Sequence, residues 1–500
     1  MAIGALHIVG IVAVLALIAG VGAWSGRKVS DASDFTSGGG KAGALVVCGT
    51  IMGSLVSGQA TVGTAQLAFT YGLSAWWFTL GSGIGCLILA LAYVTRMRAS
   101  DKKTLVGVIV EEYGERIELF AAIFSAIGIF ISVIAQVISA SALVTTLFPM
   151  SPLLAAVVSG TIMALYVIFG GVWGAGIGGV VKLVLLYVSS IAGCLVVLSL
   201  AGGPSGLMDA VGTALVGTDL GALSGIVTQA DIAPRFLSLV ARGPLKDLGS
   251  ALSLILGVIS TQTYASAIWA AKSDDAARKG ALLSALLIPP IGAACIMIGL
   301  FMRGQCITVD EVAALTAAGQ AVPQGMLQIA SSSQVFPQFV VHYLPALFGG
   351  VVLGTLFITV VGGGAGLSLG VATVLAQDLL AGVTSAWDAN KKLLLTRALI
   401  VVVLVCAGAA ALLLPGSMIN DFGFLSMGLR GAVIFVPMTF ALFAKGRVAG
   451  TWALCSVIAG PVAVIAGNLV GLPFDPLFLG VAVNLVVMFC GLAAGPKVVR

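Results

Sequence analysis

Uncharged apolar runs recur along the whole of this chain, and most reach the roughly 18 residues that carry a helix across a hydrocarbon layer about 30 Å thick. Composition agrees: 59% of the 500 residues are hydrophobic and 9% charged, against about 25% charged in soluble domains. The sequence therefore describes an all-α polytopic membrane protein. The runs fall at residues 5–24, 44–70, 75–97, 117–147, 152–170, 174–202, 248–271, 281–302, 338–377, 393–414, 418–444, 450–470 and 476–494, about thirteen transmembrane helices. The first has no basic residue before it and "SGRK" after it, the reverse of a signal peptide, so a retained span with its N-terminus outside is expected.

The basic residues test that topology. Of the 24 Lys and Arg, eighteen then lie at cytoplasmic ends or loops, Arg96, Arg98, Lys102 and Lys103 among them, and four lie outside: Arg235, Arg242, Lys246 and Arg303. This imbalance is the positive-inside pattern. The net charge of +5 reflects topology, with no nucleic-acid partner implied. The expected location is the cell (inner) membrane, multi-pass. Two cations remain inside spans, Lys182 and Arg430.

All of the eight cysteines but Cys306 lie in spans, with no CxxC pair, and fit apolar packing. His7 and His342 sit near span ends without a second ligand at metal spacing and read as interfacial residues. No metal, cofactor or obligatory protein partner is expected. Two external segments, 203–247 and 303–337, are long, and "DEVAALTAAGQ" in the second suggests a surface helix. The "WW" at 76–77 marks an external boundary between spans.

Two spans are interrupted. In "CGTIMGSLVSGQATVGTAQLAFTYG" and "LILGVISTQTYASAIWA", small and polar residues crowd the middle of the run. Such stretches make poor continuous helices in lipid unless their backbone lines a cavity. Each opens a block of five spans, 44–202 and 248–444, and an odd number sets the two blocks in opposite directions. That is the pattern of an inverted repeat with broken first helices around a central site. Residues 1–43 then form an extra N-terminal helix and loop, and 445–500 two C-terminal helices.

In "GRKVSDASDFTSGGG", "GTAQLAFTYGLSAWWFTLG", "IFGGVWGAGIGGVVK" and "WAAKSDDAARKGALLSALLIPP", which cover most of residues 20 to 390 in order, the chain resembles the sodium:solute symporter family. The resemblance implies a LeuT-type 5+5 inverted repeat. It also implies a sodium site with two carbonyls from the first core helix, matched by Gly53 and Val56, and a third from the eighth, matched by Thr359. Two serines usual in that eighth helix are replaced by Gly362 and Gly363. In the fifth core helix Gly179 stands where an aspartate is common and Lys182 where a glutamine is.

Sodium is left with too few oxygens in such a site. Lys182, three residues beyond the missing aspartate, lies on nearly the same helix face. It sits about eight residues, or roughly 12 Å, inside its run, with no acid in the spans to hold it. An ammonium so placed needs carbonyl partners or gives up its proton. Lys182 is thus expected in the cation position, bonding carbonyls of the first and eighth core helices. The alternative is a lysine snorkelling to the cytoplasmic face.

Candidates for solute contact are Ser57, Gln59 and Thr61 of the first broken helix, Thr261, Gln262 and Tyr264 of the second, and Gln136 and Ser139 of the third core helix. Each could instead be a helix–helix hydrogen bond. Arg430 lies nine residues, about 13.5 Å, beyond Asp421 and near the midplane. It either meets a solute carboxylate or gate, or caps broken-helix carbonyls. If the former, an anionic or zwitterionic small molecule is favoured over a sugar.

An intramembrane enzyme would need a nucleophile with its base, or metal ligands, within the spans, and neither is present in the sequence. A sensor is expected to carry a signalling domain beyond its last span, where this sequence reads "GPKVVR". Paired broken helices argue against a channel. The expected function is secondary active transport of a small organic solute, sodium-independent, either proton-coupled or uniport. The alternative is a sodium-coupled symporter of a small carboxylate or amino acid, with the ion held by Thr355, Thr359 or Ser368.

Overall fold

The computed structural model describes residues 3–26, 41–100, 104–170, 177–376, 380, 387–414 and 416–495. The stretch "RKVSDASDFTSGGG" after the first helix, the residues 171–176 ahead of Lys182, and the tail beyond 495 lie outside them.

The chain is almost wholly helical. Its principal helices are α1 (Ala5–Gly26), α2 (Ala44–Leu55), α3 (Thr64–Tyr71), α4 (Trp77–Ile88), α5 (Glu118–Leu147), α6 (Pro152–Gly170), α7 (Ile177–Ala201), α8 (Pro244–Ile259), α9 (Gln262–Trp269), α10 (Asp274–Arg303), α11 (Ala346–Val374), α12 (Ala389–Leu413), α13 (Ile419–Phe443), α14 (Gly450–Val470) and α15 (Leu477–Ala494). Among the described residues nine helical segments are long and apolar enough to cross a membrane, ten if the bent pair α8–α9 is counted as one. The shorter apolar helices α1, α2 and α6 stand beside them.

Both interrupted runs are broken. Between α2 and α3 the chain leaves the helix at Val56, extended at φ −79° and ψ 91°, and re-enters through a wide π turn at Gln59–Gly63. Between α8 and α9 the axis turns by 42° at Ser260 and Thr261. The run at 338–377 is also two helices: Val335–Tyr343 ends before Pro345, which precedes α11. Proline restrains the residue before it to extended backbone, so one apolar run becomes two elements.

Glycines set how closely helices approach. A side chain at Gly350 would meet the His7 carbonyl and one at Gly10 the Leu347 carbonyl, so α1 and α11 cross almost backbone to backbone. His7, expected at the interface, is instead 5% exposed beneath this crossing. α5 packs along α13, α8 along α4 and α13, and α10 along α2, α3 and α4. In the segment from 203 to 247 are short helices at Pro204–Leu215, Asp219–Leu223 and Ile232–Phe236. In the segment from 303 to 337 a helix, Val309–Ala317, follows the first strand of a two-stranded parallel pair, Cys306–Thr308 with Leu327–Ile329. Trp76 and Trp77 direct their indole N–H groups to the carbonyls of Pro289 and Leu239, at 2.9 and 2.7 Å.

Candidate functional site

Ending α2 at Leu55 frees the carbonyls of its last turn, which a continuous helix would have used. Lys182 reaches one of them. Its Nζ donates to the Gly53 carbonyl oxygen at 2.7 Å, and the residue is 9% exposed. Among the described residues it has no carboxylate partner and no bond to the carbonyl of Thr359. Gly179, one turn earlier, lies against Gly49, so α7 meets α2 at close quarters. The lysine side chain thus runs inward to the first break.

The next group is built on α5. Gln136 Oε1 accepts from the Gly58 N–H at 3.1 Å, and its Nε2 donates to Ser57 Oγ at 2.9 Å. One side chain therefore satisfies both a donor and an acceptor of the unwound segment. Ser139 Oγ bonds the Ala135 carbonyl of its own helix at 2.8 Å and fills the space beside Gly58. On α11, Gly363 faces Ser57 and Gln136, whereas Gly362 has nothing nearer to its missing side chain than Tyr166 Oη at 3.9 Å. Thr359 is fully buried, and among the described residues its hydroxyl has no partner. Thr61 Oγ1 donates to the Ser57 carbonyl, and Val56 N to that of Met52.

A third group joins the two breaks. Arg430, 3% exposed, donates from Nη1 to Thr261 Oγ1 at 3.0 Å and from Nη2 to Ser426 Oγ at 2.9 Å and Ser132 Oγ at 3.4 Å. Its Nε reaches the Ser426 carbonyl at 3.3 Å. Ser132 also accepts from Gln59 Nε2 at 3.4 Å and donates to Ser426 Oγ at 2.8 Å. A chain of polar contacts thus runs from Gln59 at the first break to Thr261 at the second. Tyr264, 4% exposed, lies within electrostatic reach of the guanidinium. Gln262 points elsewhere: its Oε1 accepts from the Leu105 N–H at 2.8 Å and its Nε2 donates to Ser266.

Ser132 and Ser426 were not singled out in the sequence. The signal was spacing, since each sits four residues before a candidate, Gln136 and Arg430, on the same helix face.

Burial differs on the two sides of the first break. Every residue from Leu55 to Phe69 is buried, while Thr50, Gly53 and Ser54 are partly open. The closed side is pinned by Gln66, which donates to Ser332 Oγ and the Ser417 carbonyl and accepts from the Ile419 N–H. At the other end the strand-like Ala42 pairs with Ala271: its N–H donates to the Ala270 carbonyl and its carbonyl accepts from Lys272, each at 3.0 Å. The start of α2 and the end of α9 are one unit.

Two broken helices, bound to each other through buried polar groups and sealed on one side, belong to a LeuT-type secondary transporter and not to an enzyme. More narrowly, the chain belongs to the sodium:solute symporter family, whose profile matches residues 35–460. It is thus a multi-pass membrane protein and a secondary active carrier of small solutes. The fold resembles a Na+-coupled sialic acid symporter in a substrate-bound outward-open state, at TM-score 0.70 and 17% identity over 98% of both chains. It also resembles a nucleobase-cation-symport-1 family transporter in a closed conformation with bromovinylhydantoin bound. There the TM-score is 0.53 and the identity 12%, over 92% of this chain and 93% of that one.

Proposed function

We propose that this carrier moves a small organic solute by alternating access without sodium, with the ammonium of Lys182 standing in the cation position and Gly53, Val56, Thr359, Gly362 and Gly363 around it. The observation that carries the reading is the 2.7 Å bond from Lys182 Nζ to the Gly53 carbonyl, at a position that resembles a sodium ligand of the family. An ammonium bears the charge of sodium and offers three donors to such carbonyls. Its proton can leave and return, so the cycle is proton-coupled or, with the proton retained, uniport. About thirteen spans, an outside N-terminus, repeats at 44–202 and 248–444 and an inner-membrane location complete the reading. Ser57, Gln59, Thr61, Gln136, Ser139, Thr261, Gln262, Tyr264 and Arg430 are its solute-contact candidates.

Sodium symport through non-standard ligands is favoured by one observation. Thr355 and Ser368 spend their hydroxyls on carbonyls of their own helix, but Thr359 Oγ1 is buried without a partner among the described residues and offers a ligand oxygen.

Melting temperatures of the purified protein in sodium, potassium and choline buffers from pH 5 to 9 separate the two. An ion that binds only the folded state at a hundred times its Kd adds about 2.7 kcal/mol. The expected result is no sodium shift, with a pH dependence that Lys182→Ala removes. A saturable sodium shift that survives in Lys182→Ala overturns the lysine reading and restores sodium symport.

A further inference from the structure

Arg430 is a cation in the interior, and no acid among the described residues answers it. Among the described residues its hydrogen bonds all end on neutral oxygens, three hydroxyls and one carbonyl. Lys182 is in the same position. The buried carboxylate of Asp247 is paired with Arg242, at 2.7 Å, near the start of α8 and away from the breaks. Two positive charges therefore lie among the broken helices, and the described residues offer no negative charge against them. An unanswered charge at membrane depth is costly and marks function by default.

The geometry says what would answer it. Arginine's planar fork matches a carboxylate in two parallel hydrogen bonds, shorter and stronger than bonds to neutral groups. Two of the present contacts, at 3.3 and 3.4 Å, are long for N–H to oxygen and are readily exchanged. The Nη1 edge faces Thr261 at one break, and Nη2 reaches Ser132, which is shared with Gln59 at the other. A group bound on this fork is within reach of both breaks.

We propose that the transported solute is a small organic carboxylate, and that its carboxylate is received by the guanidinium of Arg430 between Gln59 and Thr261. The carboxylate competes with Thr261 and Ser132 for the fork, so binding loosens the polar chain that ties the two broken helices together. The proposal rests on the reading of the chain as a solute carrier and is independent of what Lys182 does.

The test uses the full chain in detergent and choline salts throughout, so that no sodium effect intrudes. Melting temperature is recorded against straight-chain and hydroxylated mono- and dicarboxylates of one to six carbons, each beside its own amide. At least one carboxylate is expected to give a saturable upward shift that its amide lacks. The shift is expected to be lost in Arg430→Gln and kept in Lys279→Gln, which changes an exposed lysine paired with Asp275. If no carboxylate outperforms its amide, or if the shift survives in Arg430→Gln, the proposal is overturned. Should Arg430→Gln not fold, Arg430→Lys retains the charge without the fork and is expected to raise the half-saturating concentration at least tenfold. An unchanged concentration there also overturns it. A sodium shift that survives in Lys182→Ala in the earlier experiment would remove the Lys182 reading and leave this one standing.

Discussion

Lys182 and Gly53 meet because Gly179, one turn before the lysine, carries no side chain. A Cβ at position 179 would stand 2.5 Å from the Gly49 carbonyl oxygen, closer than packed atoms approach. The bare backbone at position 179 and the lysine at 182 thus act together. Losing the side chain lets α7 lie against α2, and that approach brings the ammonium to the end of the broken helix.

Restoring an acid at position 179 is therefore expected to harm the fold. Gly179→Asp should destabilise the fold by an amount typical of overpacking, about 1–3 kcal/mol, read as a lower melting temperature, and should not create a sodium response. Gly362→Ser, which enters open space, should cost little. Melting curves of the two variants in sodium and choline buffers check both expectations.

The polar chain between the breaks should behave as a unit. Ser426→Ala removes an acceptor from Arg430 and Ser132 together, leaving buried donors unpaired at a cost of about 1–3 kcal/mol. Ser132→Ala should do the same. The double variant is expected to lose less than the sum of the singles, as neighbours sharing partners do. Thermal unfolding of the four proteins measures the difference.

The two ends of the broken helices should respond differently to a crosslink. Cysteines at positions 42 and 271 join elements that already form a backbone bridge, and a disulfide there should leave a cysteine at position 57 reachable by impermeant thiol reagents from both faces in turn. Cysteines at 64 and 420 join side chains that touch at 3.4 Å on the closed side. Oxidising that pair should confine labelling to one face of proteoliposomes.

Asp475, in the turn between α14 and α15, gives a pH prediction. Burial pushes its carboxyl above the usual aspartate range, against the pull of the Leu477 N–H and the nearby Arg242 and Lys246. A carboxyl whose folded value is raised binds its proton more tightly in the folded state. Its contribution to stability is full below the ordinary carboxylate value and is lost as pH rises through the raised one. Asp475→Asn keeps the acceptor for Leu477 and should raise the melting temperature at neutral pH while flattening its rise on mild acidification.

Much of this was legible in the sequence, because lipid forces helices to be long, apolar and internally bonded. Those constraints exposed the spans, the two interruptions, and Lys182 and Arg430 as the charges that did not fit. What they could not expose is direction. Gln262 lies beside Thr261 in sequence, yet its side chain turns to the Leu105 N–H, since adjacent residues point to different sides of a helix. Nor do small residues declare their neighbours. Gly179 reads as a missing aspartate until α2 is seen against it, and Ser132 and Ser426 read as ordinary helix serines until Arg430 lies between them.

The bond from Lys182 to Gly53 has an energetic consequence. An ion taken from solution fills its site according to its concentration on each face, and that dependence is how a gradient is harvested. An ammonium fixed to the chain faces its carbonyl at one effective concentration, set by the length of a side chain and indifferent to either compartment. On the reading proposed above, it holds the site together without drawing on any reservoir of metal ions. Uphill transport is then driven by a proton, and a carrier that keeps its proton only lets the solute run down its own gradient.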